Sequence, residues 1–324
     1  MFLKINKLIL SVFSILFCFF TYTNASETIK IGSLQYGSVN WELDLIKELN
    51  LDEKYGVDIE IVRLASKNAA AVALQGKSVD LIVTDWFWVS RQRSQKRMFS
   101  FIPHSMAAGG LMVSDKSKIN DLNDLKGKKI GIAGGSIDKS WLIFRAYYQD
   151  LFGKDLRKDS EQIFGAPPLL NKKIEQGSFD AILTYWPYQA RLMSKDFKTV
   201  VNVTDVIEKL GIEGNIPVIG WVFRDDWAKK NALTLQNFVK ASNEAKTLML
   251  NSDEVWNKVK PSMNVKSEST FVNLRDIYRQ GIPKESNSFN LESASKLFSM
   301  LALIGGEELV GDSKVLSKGT FWLK

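Results

Sequence analysis

A chain of 324 residues has room for two domains of ordinary size, and 45% hydrophobic against 24% charged residues is the balance of a core-forming chain, which excludes a disordered polyelectrolyte. The net charge of +7 is interleaved with acids, as in Lys158-Asp159 and Arg224-Asp225-Asp226; with no long Lys/Arg block and no RNA-binding aromatic motif, nucleic acid is not an expected partner. One cysteine and one histidine exclude a disulfide framework and a Cys/His zinc site by count.

The N-terminus opens with Lys4 and Lys7, an apolar run over residues 8–20, and small residues around Thr23-Asn24-Ala25. This is the pattern of a secretory signal peptide over residues 1–25, and the run is short for a membrane span. Cys18 lies inside it behind Phe17, where lipid attachment would need a small residue. The mature chain, from Ser26, would hold no thiol, so its stability rests on its core. Export without disulfides points to a periplasm. Loss of Lys4 and Lys7 takes the charge from +7 to +5, a mild excess that favours anionic ligands.

Beyond the leader, alternation over residues 29–35 predicts a strand, with Ser38 or Asn40 capping a helix that carries Trp41, Leu45, Ile46 and Leu49. A second strand is expected at 57–64, an Ala-rich helix at 69–74 ending on Gly76, a buried strand at 81–83 and a helix from Phe87 to Gln95. Strands at 99–103 and 111–113 follow, then a polar connector at 117–127 where the chain is expected to cross between domains. Residues 130–133, Gly134-Gly135-Ser136 and a helix with apolar Trp141, Leu142, Phe144 and Tyr148 form a strand, tight turn and helix. Such a helix start presents unpaired N–H groups and a positive dipole end, a natural place for an anion, with Asp138 or Ser140 as cap. The spacing matches neither nucleotide-binding glycine motif, and the turn taken alone reads equally as a tight strand-to-helix connection. Strands at 161–164, 179–183 and 216–223, helices at 167–176 and 188–193, and a helical stretch from Arg224 to about Leu303 complete the list; residues 305–324 look polar and irregular.

Two segments repeat a pattern. Residues 76–86 (GKSVDLIVTDW) and 177–186 (GSFDAILTYW) each read as Gly turn, Asp, apolar strand, Thr, one variable residue and Trp. Alternating strands and helices, twice over, argue for an α/β chain of two lobes with strand ends facing one another, and ligands in such sheets bind at the carboxyl ends of the strands. The expected division is 26–114 plus 224–324 for lobe 1 and 115–223 for lobe 2. The candidate ligand residues follow: Gln35 and Tyr36; Thr84, Asp85 and Trp86; Gly135, Ser136, Asp138 and Ser140; Trp141; Tyr185 and Trp186; and Trp221. Asp85 could pair a ligand cation or cap the next helix. Lys139 reads as solvated, Trp88 as core and His104 as structural. Nine Trp suggest an aromatic cleft, with Trp86 and Tyr185-Trp186 as a clamp, or else well-filled cores.

These residues in this order resemble the substrate-binding proteins of ABC importers for taurine, alkanesulfonates, nitrate and thiamine precursors. The marks are Ile31-Gly32 with Gln35, Gly76 to Asp80, Asp124-Leu125-Lys126-Gly127 with Lys128-Lys129-Ile130-Gly131, the Ser-bearing helix start at 135–140, Gly177 to Asp180 with Trp186-Pro187-Tyr188, and 217–224. The resemblance implies a two-lobed type II periplasmic-binding-protein fold with a helical C-terminal tail, a two-strand hinge near 111–113 and 216–223, and closure on a ligand. The function it implies is the periplasmic solute-binding component of an ABC importer, monomeric, taking a small organic anion or zwitterion of the sulfonate or taurine kind and serving a membrane permease and ATPase. Alternatives are a binder of an aromatic or cationic thiamine-precursor-like ligand, an accessory protein of a periplasmic dehydrogenase, and an enzyme of the pyrimidine-precursor synthase type. The last is disfavoured because a catalytic triad would have to use His104, which stands in no motif. No cofactor and no metal are expected.

Overall fold

The computed structural model describes residues 27–214, 216–283 and 290–323; the predicted signal peptide lies outside them. The first half runs β1 (Glu27–Leu34), α1 (Val39–Glu48), α2 (Leu51–Lys54), β2 (Val57–Leu64), α3 (Lys67–Gln75), β3 (Leu81–Thr84), α4 (Trp86–Ser94), β4 (Phe99–Ser105) and β5 (Gly109–Ser114). The middle continues with β6 (Lys129–Ala133), α5 (Lys139–Phe152), α6 (Leu156–Asp159), β7 (Glu161–Gly165), α7 (Pro167–Glu175), β8 (Ala181–Tyr185), α8 (Trp186–Met193), β9 (Phe197–Asn202) and α9 (Val203–Lys209). β10 (Ile219–Arg224) leads into α10 (Asp225–Lys230), α11 (Ala232–Asn251), α12 (Asp253–Val259), α13 (Glu268–Gln280) and α14 (Leu291–Val310).

The strands form two five-stranded mixed sheets, β2-β1-β3-β10-β4 and β7-β6-β8-β5-β9. In each, the first three strands run parallel and the fourth runs antiparallel to both its neighbours. That fourth strand comes from beyond a crossing: β5 follows the first sheet's β4 directly, and β10 returns after the second sheet is complete. The expected lobe boundaries therefore shift. β5, assigned to lobe 1, pairs in the second sheet, and β10, assigned to lobe 2, pairs in the first. The chain crosses at residues 106–108 and again between Asn202 and Ile219. The Lys/Asp-rich stretch at 117–127 is a surface connection within the second lobe, closed by a single 3-10 turn at Asn123–Leu125.

At the first crossing Gly109 sits at φ +120°, and a Cβ there would collide with the backbone carbonyl of Thr184. Only glycine lets β5 come this close to β8 as it leaves the crossing. The repeated Asp has one job in both lobes. Asp80 takes the Lys30 N–H at 2.9 Å and gives its own N–H to Lys30 O at 2.7 Å. Asp180 does the same with Lys129, at 2.7 and 2.9 Å. Each ties the first parallel strand of its sheet in chain order, β1 or β6, to its neighbour β3 or β8, which ends at the cleft.

The C-terminal helices hold the lobes together. Asn273 on α13 donates to Ser194 Oγ at the end of α8 (3.0 Å), and Arg191 on α8 donates to Met263 O (2.9 Å). α14 lies on α4 and α5, and one apolar cluster runs continuously through Trp86, Phe87, Ile132, Phe144, Phe298 and Leu301. The tail is ordered where the sequence looked irregular: α14 continues to Val310 through a bend at Gly306, and Phe321 is buried, edge-on to Phe101 at 5.5 Å.

Candidate functional site

β1, β3, β6 and β8 end facing one another, and between them lies a cleft of about 250 Å³ walled by both lobes. The helices that follow these strands start at the cleft, so helix caps supply its polar groups. Asp85 caps α4 by accepting the Trp88 N–H at 3.0 Å, and Asp138 caps α5 by accepting the Ser140 N–H at 3.0 Å. Their second oxygens face inward. Asp85 Oδ2 lies 2.8 Å from Lys139 Nζ on the opposite lobe, and Asp138 Oδ2 accepts the Tyr185 hydroxyl at 2.7 Å. Lys67, the first residue of α3, sits 5.5 Å from the centre of the Tyr185 ring, a second contact from lobe to lobe. Gly134, at φ +94°, leaves the room in which Tyr185 and Asp138 meet.

The electrostatics favour full charge on the bridging pair. Burial pushes the Asp85 carboxyl up, but Lys139, the Trp88 N–H and Lys67 outweigh it and hold it below the usual carboxylate range. Burial pushes Lys139 down, and Asp85 with Asp138 more than restores it. Tyr185 is driven well above its ordinary value, first by burial and then by Asp138, so its hydroxyl stays a donor.

Of the residues singled out from sequence, Thr84, Asp85, Asp138, Ser140, Tyr185 and Trp186 line the cleft. Gln35 and Tyr36 do not; Tyr36 projects outward, 82% exposed, because β1 ends one residue earlier at the cleft wall. Gly135 and Ser136 are also off the wall, since the turn carries them past it before Asp138 returns. The bare anion site expected at 135–140 is thus filled by the chain's own carboxylate. Trp86 is 2% exposed and gives its indole N–H to Pro217 O at 2.8 Å, its ring packed at tilted angles among Phe87, Phe298 and Phe321. Trp141 is buried in the core formed with α14, and Trp221 is buried between His104 and Phe238. The expected indole clamp is therefore not built: Trp86 turns away into the core, and Trp186 presents only part of itself.

Lys139, expected to be solvated, is instead paired with Asp85 on the cleft wall, and Lys67, not among the expected site residues, lines the same wall. A signal was available: each is the first residue of a helix, where a cation opposes the dipole at a cost of up to about 1 kcal/mol. Tyr188 and Ser33 on the cleft wall carried no comparable mark. His104 lies away from the cleft, buried 3.6 Å from Glu42, whose carboxylate also takes bonds from Ser242 (2.6 Å) and Tyr278 (3.2 Å) and faces Lys246. Among the described residues no group of three or more His, Cys, Asp or Glu could hold a metal ion, and no helix is long and apolar enough to cross a membrane.

A family model described as NMT1/THI5 like matches residues 52–254. A search of curated proteins returned no match. Among solved structures, the chain is similar to the periplasmic aliphatic sulphonate binding protein SsuA from Escherichia coli, with 19% identity and a TM-score of 0.73 over 91% of this chain and 92% of that one. It is similar also to the alkanesulfonate-binding protein SsuA from Xanthomonas axonopodis pv. citri bound to MOPS (17% identity, TM-score 0.67, 91% and 98% covered). The periplasmic nitrate-binding protein NrtA from Synechocystis PCC 6803 follows at 13% identity and TM-score 0.59, with 86% and 81% covered. These likenesses identify the architecture as the two-lobed type II periplasmic-binding-protein fold with a helical C-terminal tail.

Proposed function

From membership of the NMT1/THI5-like family, to which this chain belongs, we propose that the protein is the periplasmic solute-binding component of an ABC importer. It captures a small organic anion or zwitterion between its lobes and presents it to a membrane permease and its ATPase. The observation that carries this reading is the interlobe cleft of about 250 Å³, which gathers charged side chains of both signs at helix starts from both lobes. A ligand touching both walls lowers the free energy of the closed form alone, so binding shifts the population toward closure and marks the loaded protein for the permease. The similar structures, a periplasmic sulphonate binder, an alkanesulfonate binder and a periplasmic nitrate binder, support the reading of compartment and solute size.

A second reading, an aromatic thiamine-precursor-like ligand, is favoured by the Tyr185 and Tyr188 rings on the same wall. One experiment addresses both. The chain from Ser26 is melted with sulfonates, amines, nitrate and aminopyrimidines while tryptophan emission is recorded. A true ligand at a hundredfold excess over its Kd stabilises the folded state by about 2.7 kcal/mol. A panel in which no compound moves the melting temperature or the emission refutes the proposal, and the compound class that does so chooses between the two readings.

A further inference from the structure

We infer that the cleft selects a dipolar solute, one carrying both a cationic and an anionic group, and turns away plain anions, because an ion pair already joins its walls and only a ligand with both charges can replace it. This rests on the cleft being the binding site. The pair is Lys139 Nζ and Asp85 Oδ2, 2.8 Å apart, from opposite lobes, with side chains 33% and 17% exposed. Asp85 is not free to swing out to water, since its other oxygen caps α4 through the Trp88 N–H. The wall carries two carboxylates, Asp85 and Asp138, and two ammonium groups, Lys67 and Lys139, so it offers no net charge to a simple anion.

A lone anion drawn to Lys139 would strip Asp85 of its partner inside the wall and would also approach Asp138. Taking one member from this half-buried pair leaves Asp85, held in place by its cap to α4, poorly solvated and uncompensated, a cost that offsets the new contact to Lys139. A dipolar solute avoids this. Its acidic end takes Lys139, with Lys67 close by, while its ammonium or protonated ring takes Asp85 and Asp138. One protein pair is exchanged for two ligand pairs, each made with a different lobe, so the same event that satisfies the charges draws the lobes together. Both protein groups are ionised at neutral pH, by the mutual stabilisation described above.

The test uses isothermal titration of the mature chain with matched probes: 2-aminoethanesulfonate against ethanesulfonate and ethylammonium, and 3-aminopropanoate against propanoate and propylammonium. Wild type should bind the amino acids of each set at least about tenfold more tightly than either single-charge match. Asp85→Asn keeps an oxygen for the Trp88 N–H, so α4 stays capped, but it leaves Lys139 unpaired. The variant should gain about tenfold or more in affinity for ethanesulfonate, and this gain supports the inference even where the two amino acids bind wild type weakly. Wild type binding ethanesulfonate as tightly as its amino match, or Asp85→Asn leaving the preference unchanged, overturns the charge rule while the binding-protein reading stands. If no probe binds either protein, the charge rule falls, and the binding-protein reading is decided separately by the wider panel of nitrate and aminopyrimidines.

Discussion

Trp186→Ala should weaken the joint between the lobes more than the grip on a ligand. Trp186 opens α8 on the second lobe, yet its ring lies in the first lobe's core, edge-on to Trp41 at 5.9 Å and 84° and to Tyr278 at 6.2 Å and 65°, and it is only 6% exposed. Behind it Tyr278 donates to the buried Glu42, so the socket is rigid. Truncating a buried Trp to Ala costs about 3–5 kcal/mol, of which the two ring contacts supply roughly 1–3. In a chain of this size that lowers the melting temperature by on the order of 10 °C. Urea denaturation of the mature chain reads the loss, and small-angle scattering of the ligand-free protein should show a larger radius as the lobes separate. A variant destabilised by less than about 1 kcal/mol, with unchanged scattering but lost ligand affinity, would refute this and return Trp186 to the role of a ligand clamp.

Asp180→Ala removes a carboxylate that takes a backbone N–H of β6, and should cost about 1–3 kcal/mol in urea denaturation; Asp80→Ala should behave alike, and a neutral result for either breaks the parallel between the lobes. His104 is held well below its ordinary 6.5 by burial and by Lys246, so it is neutral in the folded chain. Unfolded chains bind the extra proton as pH falls, so the stability present above pH 6.5 drains by up to about 1.4 kcal/mol per unit below it. His104→Gln should flatten that part of the slope between about pH 6.5 and 5, and an unchanged slope in matched denaturation curves would contradict the assignment. Gly109→Ala forces a Cβ into the Thr184 carbonyl at a positive φ and should lose several kcal/mol, roughly the sum of strain and clash, whereas Gly135→Ala meets open space and should change stability by less than about 1 kcal/mol. Equal effects at the two glycines would mean the crossing is not as tight as described.

How far the chain was legible follows from what each signal is made of. Strands and helices with strong periodicity were readable almost to their ends: β2 at 57–64 and α7 from Pro167 match the structure because alternation and an N-terminal proline are local signals. β9, over FKTVVN, escaped because it is a half-buried edge strand with a mixed pattern. The crossing at 106–108 escaped because three residues carry no composition shift, whereas the polar stretch at 117–127 looked like a linker and is a connection within the second lobe, anchored by buried Ile119, Leu122 and Leu125. At the site, Asp85, Asp138 and Tyr185 were legible from strand-to-helix grammar. The Trp residues were not, since a ring at a strand end can turn to the cleft or to the core, and here α13 and α14, distant in sequence, supply the core that wins them.

The repeat explains why the cleft has the charges it has. Both copies end in Thr, one variable residue and Trp, and both Trp rings pack into cores, so the variable residue is where the two copies differ at the cleft wall. In the first copy it is Asp85 and in the second Tyr185, and they hold adjacent residues of one helix start: Asp85 takes Lys139 from across the cleft, while Tyr185 takes Asp138 from within its own lobe. Tyr185 thereby pins the carboxylate that would otherwise reach for Lys139, leaving that cation to the far wall. The cleft is thus spanned by one ion pair and by Lys67 over the Tyr185 ring, while the charge-assisted bond from Tyr185 to Asp138 stays within one lobe. Trp186 and the C-terminal helices join the lobes behind the cleft, so the Lys139–Asp85 pair is the charged contact between the lobes that faces the cleft itself.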